Sequence, residues 1–411
     1  MIVACHRSLG RFGARQRTVV GGKGSRIDQV KQVAEPIRTD DLTRDVYGVL
    51  GIPIDAIEMS SVLRRIQSAA TGAAPFLIST ANLNFLVTSR SDAEFRESLL
   101  RSDLCTADGM PIVWIARLLG VPVRERIAGS DIFEALKVAQ DSTRRLKIFL
   151  FGGTEGTAAA ACIKLNAESC GMTCAGSYDP GFCAIEEMST DAIFNLINSS
   201  GANFMAAALG AKKGQAWLLR NHDRLRIPVR VHLGATINFQ AGTLKRAPSR
   251  LQKWGLEWLW RIKEEPQLWR RYWDDGIVLL RLLLTQVLPL VVLARWHRLT
   301  CTRSAQVPQI KWSEDHKTVI LSINGIMTVQ NLGTAVSCFQ DAAAAAKHIV
   351  INFTGTRLID ARFLGLLLML SKQLGEQQLN LKFTGVSPRI ARLFRLNGFG
   401  FLLSTKTKRV A

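Results

Sequence analysis

The sequence predicts an α/β protein: a Rossmann-like parallel-sheet domain over residues 46–250, a helical appendage over 251–300 and a small second α/β domain over 307–405. Three observations carry this reading. Short apolar runs alternate with helix-length stretches across 46–250, the order expected of β-α units. One such run, Lys147-Ile148-Phe149-Leu150-Phe151, enters Gly152-Gly153-Thr154-Glu155-Gly156 and then a helical stretch. After an interval rich in tryptophan, the alternation resumes on a smaller scale.

Residues 1–45 are rich in Arg, Gly and Lys without a sustained period and read as a mobile basic tail lacking the apolar core of a signal peptide. The folded chain is expected to start at 46–53, with Asp55 and a helix over 57–66. A strand over 76–79, one helix over 84–100, an amphipathic helix over 131–140, a strand over 147–151 and a helix over 157–167 follow. Strands are expected again at 204–209 and 229–233. In 251–300, Trp254, Trp258, Trp260, Trp269, Tyr272 and Trp273 interleave with Arg250, Lys253, Arg261, Lys263, Arg270 and Arg271. Tryptophan with arginine is the composition of a segment lying among lipid headgroups. The apolar run 277–293 is interrupted by Arg281, Gln286 and Pro289, which makes spanning costly and favours the interface. Beyond a linker at 300–308, strands at 319–323, 348–353 and 379–384 alternate with helices over 332–346, up to 374 and from Ser387-Pro388-Arg389 onward.

Composition narrows the partners. The net charge of +20, from 53 basic against 33 acidic residues, suits an anionic partner such as a phosphate-bearing membrane surface. No zinc finger, helix-turn-helix or aromatic-basic RNA motif accompanies the charge, so no nucleic-acid partner is expected. The eight cysteines contain no Cys-x-x-Cys pair and have no His near Cys170, Cys174 and Cys183. Buried free thiols in a reducing cytosol are the expectation.

The stretch 75–131 holds the chemistry. A buried strand ending in Thr80-Ala81-Asn82 places hydrogen-bonding side chains at the carboxyl edge of a sheet, where open α/β folds bind ligands. Asp108-Gly109 puts a carboxylate on a turn before the apolar segment 112–119, and Arg126-Ile127-Ala128-Gly129-Ser130-Asp131 closes the stretch. Threonine-x-asparagine, Ala-Asp-Gly and Arg-x-x-Gly-Ser-Asp, in this order, resemble the WecG/TagA/CpsF glycosyltransferases, which build bacterial surface polysaccharides. Gly242, Arg246-Ala247-Pro248 and Leu256-Glu257-Trp258 extend the resemblance. Two places depart from it: Lys212-Lys213-Gly214-Gln215 stands where the family has Pro-Lys-Gln-Glu, and Ile237-Asn238 where it has Phe-Asp. At the carboxyl end, Asp360-Ala361-Arg362-Phe363-Leu364-Gly365 and the element order look like a STAS domain, the fold of anti-sigma factor antagonists, with Ala361 where phosphorylated members carry Ser or Thr.

The resemblance implies Asp108 as catalytic base, Thr80 and Asn82 in the sugar pocket, and substrate contacts from Arg126, Gly129, Asp131, Gly152, Gly153, Lys213, Arg261 and Arg271. A third family arginine aligns with Leu268. No Asp-x-Asp triplet occurs, so neither metal nor cofactor is expected. The implied reaction is inverting transfer from a nucleotide sugar to a polyprenyl-pyrophosphate-linked sugar, at the inner face of the cell membrane. The turn at Asp360 and Ala361 is expected to meet a protein partner, and self-association is compatible with the sequence. The rival expectation is a transferase that has lost catalysis and serves in docking.

Overall fold

Alternate side chains of a strand point to opposite faces, and here that sorts the apolar residues into two layers. Ile148 and Leu150 join one core with Ile78 and Val231, while Phe149 and Phe151 join the other with Leu77 and Trp217. The computed structural model describes residues 40–139, 145–300 and 309–404. A 3-10 turn at Asp41–Thr43 leads into an antiparallel hairpin, β1 (Val46–Val49) and β2 (Ile52–Asp55). There follow α1 (Met59–Thr71), β3 (Phe76–Ala81), α2 (Leu83–Ser91), α3 (Ala93–Leu100), β4 (Leu104–Ala107), α4 (Met110–Leu118) and α5 (Gly129–Val138). The transferase-like part continues with β5 (Leu146–Gly152), α6 (Thr157–Glu168), β6 (Met172–Tyr178), α7 (Asp191–Ser199), β7 (Phe204–Ala208), α8 (Ala211–Arg220), β8 (Val229–His232) and α9 (Thr236–Ala241). Its six-stranded sheet has the order β4-β3-β8-β7-β5-β6, and every pairing is parallel.

Several expectations need correction. Order begins before residue 46: Asp40 caps the 3-10 turn and Arg44 is buried, held by Asp41 and Asp55. The basic tail over 1–39 and the linker over 301–308 lie outside the described residues. The single helix expected over 84–100 is two, because the Asp92 side chain accepts from the Phe95 N–H and caps a new helix. The expectation of free thiols fails for one pair: Cys162 of α6 and Cys174 of β6 form a disulfide, with Cα atoms 5.3 Å apart. The packing of α6 on β6 brings them within bridging reach, which their spacing in sequence does not reveal. Among the other described cysteines, Cys105 is buried but Cys170 is exposed.

The appendage comprises α10 (Ser249–Lys253), α11 (Glu257–Glu264), a 3-10 turn at Pro266–Leu268, α12 (Trp269–Leu282), a π turn at Leu283–Val287 and α13 (Leu288–Thr300). Pro289 lacks an N–H and its ring crowds the preceding turn; the π turn just upstream absorbs both without ending the helix. One face of this helix packs inward. Leu282 and Val287 reach the core that holds Val113 and Phe85, while Leu290 belongs to the core of the C-terminal domain.

That domain contains β9 (Gln309–Glu314), β10 (Thr318–Met327), α14 (Leu332–Ala344), β11 (His348–Ile359), α15 (Ala361–Glu376), β12 (Leu381–Thr384), α16 (Pro388–Leu396) and α17 (Gly400–Leu403). The sheet order is β12-β11-β10-β9, with only the β9–β10 pair antiparallel. Helix α15 is apolar on nearly all sides, from Phe363 to Leu374, as a helix must be when it is covered on both faces. Its own sheet covers one face and the β1–β2 hairpin the other. A Cβ on Gly365 would fall 2.0 Å from the Val46 carbonyl oxygen, so only glycine permits this approach. The Asp360 side chain caps α15 by accepting from the Phe363 N–H, and Ala361 packs against the core that contains Val49 and Ile54. The turn expected to meet a separate protein thus faces the hairpin of its own chain.

Candidate active site

The carboxyl ends of parallel strands leave backbone and side-chain groups pointing into one cleft. Here β3 ends at Thr80 and Ala81, β4 at Ala107 just before Asp108, β7 at Ala208 and β8 at His232. Together with the appendage they enclose a cavity of about 1280 Å³, lined by Thr80, Asn82, Asp108, Arg126, Gly129, Lys213, Arg261 and Arg271. Gly153 also lies on its wall, whereas Gly152 and Asp131 do not.

Asp108 is fixed by its backbone N–H, which donates to the Ala81 carbonyl at 2.9 Å and ties the turn after β4 to β3. The residue as a whole is half-buried, but its carboxyl is turned away from water, and that desolvation pushes its pKa up to about 7. The nearby Arg126 guanidinium opposes the rise, while Glu257 and Asp131 add to it. Thr80 is buried beside it. Asn82 has one job already, since its Oδ1 accepts from the Phe85 N–H at 3.1 Å and caps α2.

Arg126 and Asp131 form a framework. Arg126 reaches Asp131 at 2.8 Å and Glu257 at 2.8 Å, and Arg246 pairs with the other oxygen of Asp131. The Glu257 contact joins the appendage to the sheet domain. Asp131 is consumed in holding two arginines, so its part in the site is to orient them. Glu257 and Arg246 were not singled out as site residues, although both sit in matching segments of the sequence.

The glycine turn after β5 differs from a free phosphate cradle. The Gly153 N–H donates to the Ala208 carbonyl at 3.0 Å, and the Gly156 N–H to the Asp179 carboxylate at 2.5 Å. Two amides and a local negative charge are therefore committed within the chain. Basic side chains are better placed for an anion. Lys213 lines the cavity and donates to the Cys183 carbonyl at 2.8 Å. Arg261 pairs with Glu265, lies over the Phe239 ring at 5.6 Å and keeps Nη1 buried without a partner. Arg271 stands over the Tyr272 ring at 5.0 Å on the same wall, and Leu268 lies there too. No group of three or more His, Cys, Asp or Glu side chains among the described residues is arranged to hold a metal ion.

Residues 212–215 are not a loop but the first turn of α8, and the glycine at 214 has a structural explanation. A Cβ on Gly214 would lie 2.2 Å from Cδ2 of His232, so the imidazole occupies the space that a side chain at 214 would need. His232 lines the cavity, and burial holds its pKa down to about 4, so the ring is neutral at physiological pH. No spacing pattern in the sequence points to this residue. Gln215 is buried and its Nε2 donates to the Ser79 hydroxyl at 3.0 Å, stitching α8 to β3. Asn238 also lines the cavity, with Oδ1 buried and unpartnered. Gly214→Gln is expected to destabilise the fold by about 1–3 kcal/mol through overpacking. His232→Gly in the same chain is expected to restore most of that loss, as thermal unfolding will show.

Comparison with known proteins identifies the family of each part of the chain. Residues 47–291 match the model of the Glycosyl transferase WecG/TagA/CpsF family, and residues 310–404 match the Mlab, STAS domain model. Two similar relatives bear the name N-acetylglucosaminyldiphosphoundecaprenol N-acetyl-beta-D-mannosaminyltransferase. The Bacillus spizizenii protein is 27% identical over 194 residues, covering 47% of this chain and 73% of its own length. The Bacillus subtilis protein is 27% identical over 196 residues, covering 47% of this chain and 74% of its own. With a match over more than half its length and the pocket assembled from the matching segments, the chain belongs to the WecG/TagA/CpsF family of glycosyltransferases and carries a C-terminal STAS domain.

Proposed function

We propose that this enzyme moves a sugar, an N-acetylhexosamine or a related hexose, from a nucleotide donor to a sugar carried on polyprenyl pyrophosphate. The observation that carries the reading is one cavity that joins a carboxyl with a raised pKa, Asp108, to cationic side chains from the sheet domain and the appendage. The names of the two relatives support the lipid-linked acceptor. In this reading Asp108 takes the proton of the acceptor hydroxyl as that oxygen attacks the anomeric carbon. The bond from that carbon to the diphosphate breaks, and its electron pair leaves with the nucleoside diphosphate. Arg261, Arg271 and Lys213 meet the charge that develops on the leaving group, which is the task a metal performs in other transferases. In-line attack inverts the anomeric centre, giving a β-glycoside from an α-linked donor.

The acceptor's lipid accounts for the appendage. Residues 266–296, helical from Pro266 to Trp296, are long and apolar enough to cross a membrane by length and composition. Trp273, Ile277, Leu280, Leu284, Leu288, Val292 and Trp296 are all more than half exposed and form a stripe along that helix. The opposite face packs into the protein through Leu282, Val287 and Leu290, so the helix lies along the folded body. An amphipathic arrangement of this kind rests in the headgroup layer with its apolar stripe down. It brings the cavity mouth, where Trp258, Trp269 and Trp273 stand, to the surface from which a lipid-linked sugar protrudes. Release of nucleoside diphosphate from a panel of nucleotide sugars, with and without a lipid-pyrophosphate-linked acceptor, tests the reading. Acceptor-dependent release from at least one donor is expected, and its absence with every donor would refute it.

A further inference from the structure

We propose that the STAS domain is a working part of the transferase site: Lys372 of α15 positions β3 and β4, and through them Thr80, Asn82 and Asp108. The Lys372 side chain is almost fully buried, with Nζ 2.7 Å from an Asp103 oxygen and 2.9 Å from an Asp41 oxygen. Asp103 in turn closes both backbone groups of Leu77. Its N–H donates to the Leu77 carbonyl at 2.8 Å, and its other carboxylate oxygen accepts from the Leu77 N–H at 2.8 Å. Leu77 lies in β3, three residues before Thr80.

A second path ends on β4. This strand is at the sheet edge, where an unpaired N–H needs a partner. The Cys105 N–H donates to Asp55 at 2.7 Å, and Asp55 is gripped by the buried Arg44 at 2.8 Å. Arg44 also donates to the Ser102 carbonyl at 3.1 Å, and the Ser102 and Ser79 hydroxyls are 2.7 Å apart. Met369 of α15 seals Arg44, with Sδ 3.4 Å from Nη1, and both Arg44 and Lys372 bind Asp41. Arg362 of α15 bonds the Arg44 and Val46 carbonyls at 2.8 and 3.1 Å. The STAS helix thus reaches the starts of the two strands whose ends carry the reacting groups.

The test compares full-length Lys372→Met and Lys372→Arg with wild type. Its kinetic arm rests on the proposed transfer reaction, whereas amide hydrogen exchange does not. In Lys372→Met, residues 76–82 and 104–108 are expected to exchange faster, with residues 146–152 of β5 unchanged. Turnover is expected to fall on the order of tenfold to a hundredfold, the scale of a small misplacement of reacting groups, with donor KM within about twofold. Lys372→Arg restores the charge and is expected to recover both exchange and turnover. Should Lys372→Met fail to fold, Asp103→Asn keeps an acceptor for Leu77 while removing the ion pair, and the same changes are expected. Unchanged exchange in β3 and β4, or unchanged turnover beside a lowered melting temperature, would overturn the proposal and leave the domain a stabiliser only. A wild type that transfers no sugar would refute the transfer reading, while the exchange comparison would still decide whether α15 orders the two strands.

Discussion

Asp108→Asn is expected to lower turnover by roughly two to four orders of magnitude, the usual scale for removing a general base. The substitution keeps the shape of the side chain and the Asp108–Ala81 backbone bond, so the turn should persist and donor binding should be largely kept. The same carboxyl sets a pH dependence. With its pKa pushed up to about 7, Asp108 is protonated, and unable to accept a proton, in mildly acid solution. The kcat/KM of the wild type should therefore rise about tenfold per pH unit up to about 7 and level off above it. In Asp108→Asn this limb should vanish along with the activity. Near-normal turnover in the variant, or a wild-type profile that is flat between pH 5 and 8, would remove Asp108 from the mechanism.

Leu284→Glu combined with Leu288→Glu, two stripe residues outside the cavity wall, is expected to abolish sedimentation with anionic vesicles. Both side chains are exposed in the folded protein, so their loss should change stability by little. Little more than half of each side chain is left to bury, so about half of the roughly 1.5–3 kcal/mol for a full leucine is gained by each, and the two together correspond to on the order of tenfold to a hundredfold in vesicle affinity. Two added carboxylates facing anionic lipid enlarge the loss. Transfer to a vesicle-embedded acceptor should fall with it, while transfer to a short-chain, water-soluble acceptor should be unaffected. Vesicle binding that survives the double substitution would show that this stripe is not the membrane contact.

Much of the fold was legible because it rests on patterns of short range. The buried runs at 76–81, 146–152 and 204–208 announce central parallel strands, and Thr80 and Asn82 lie at the carboxyl end of the first of them, with Asp108 just after its neighbour β4. Strand β6 was not legible, since Met172-Thr173-Cys174-Ala175-Gly176-Ser177-Tyr178 is an edge strand with few large apolar residues. The Cys162–Cys174 bond escaped for a related reason, since it depends on that strand docking against α6. In the site, residues that act from afar were hidden. Glu257 meets Arg126 across 131 positions of sequence, and Lys372 meets Asp103 across 269. The all-round apolar character of α15 signals a helix covered on both sides, but only the structure shows that the second cover is the β1–β2 hairpin.

In the proposed reaction the Asp108 cavity joins a donor sugar to a lipid-pyrophosphate-linked acceptor with its own cationic side chains. The most direct measurement is the anomeric configuration, by proton NMR, of the product formed from the active nucleotide sugar and a lipid-pyrophosphate-linked N-acetylglucosamine in the presence of EDTA. A single β-linked disaccharide product that requires Asp108 is expected. An α-linked product, a reaction that stops in EDTA, or equal yield from Asp108→Asn would contradict it.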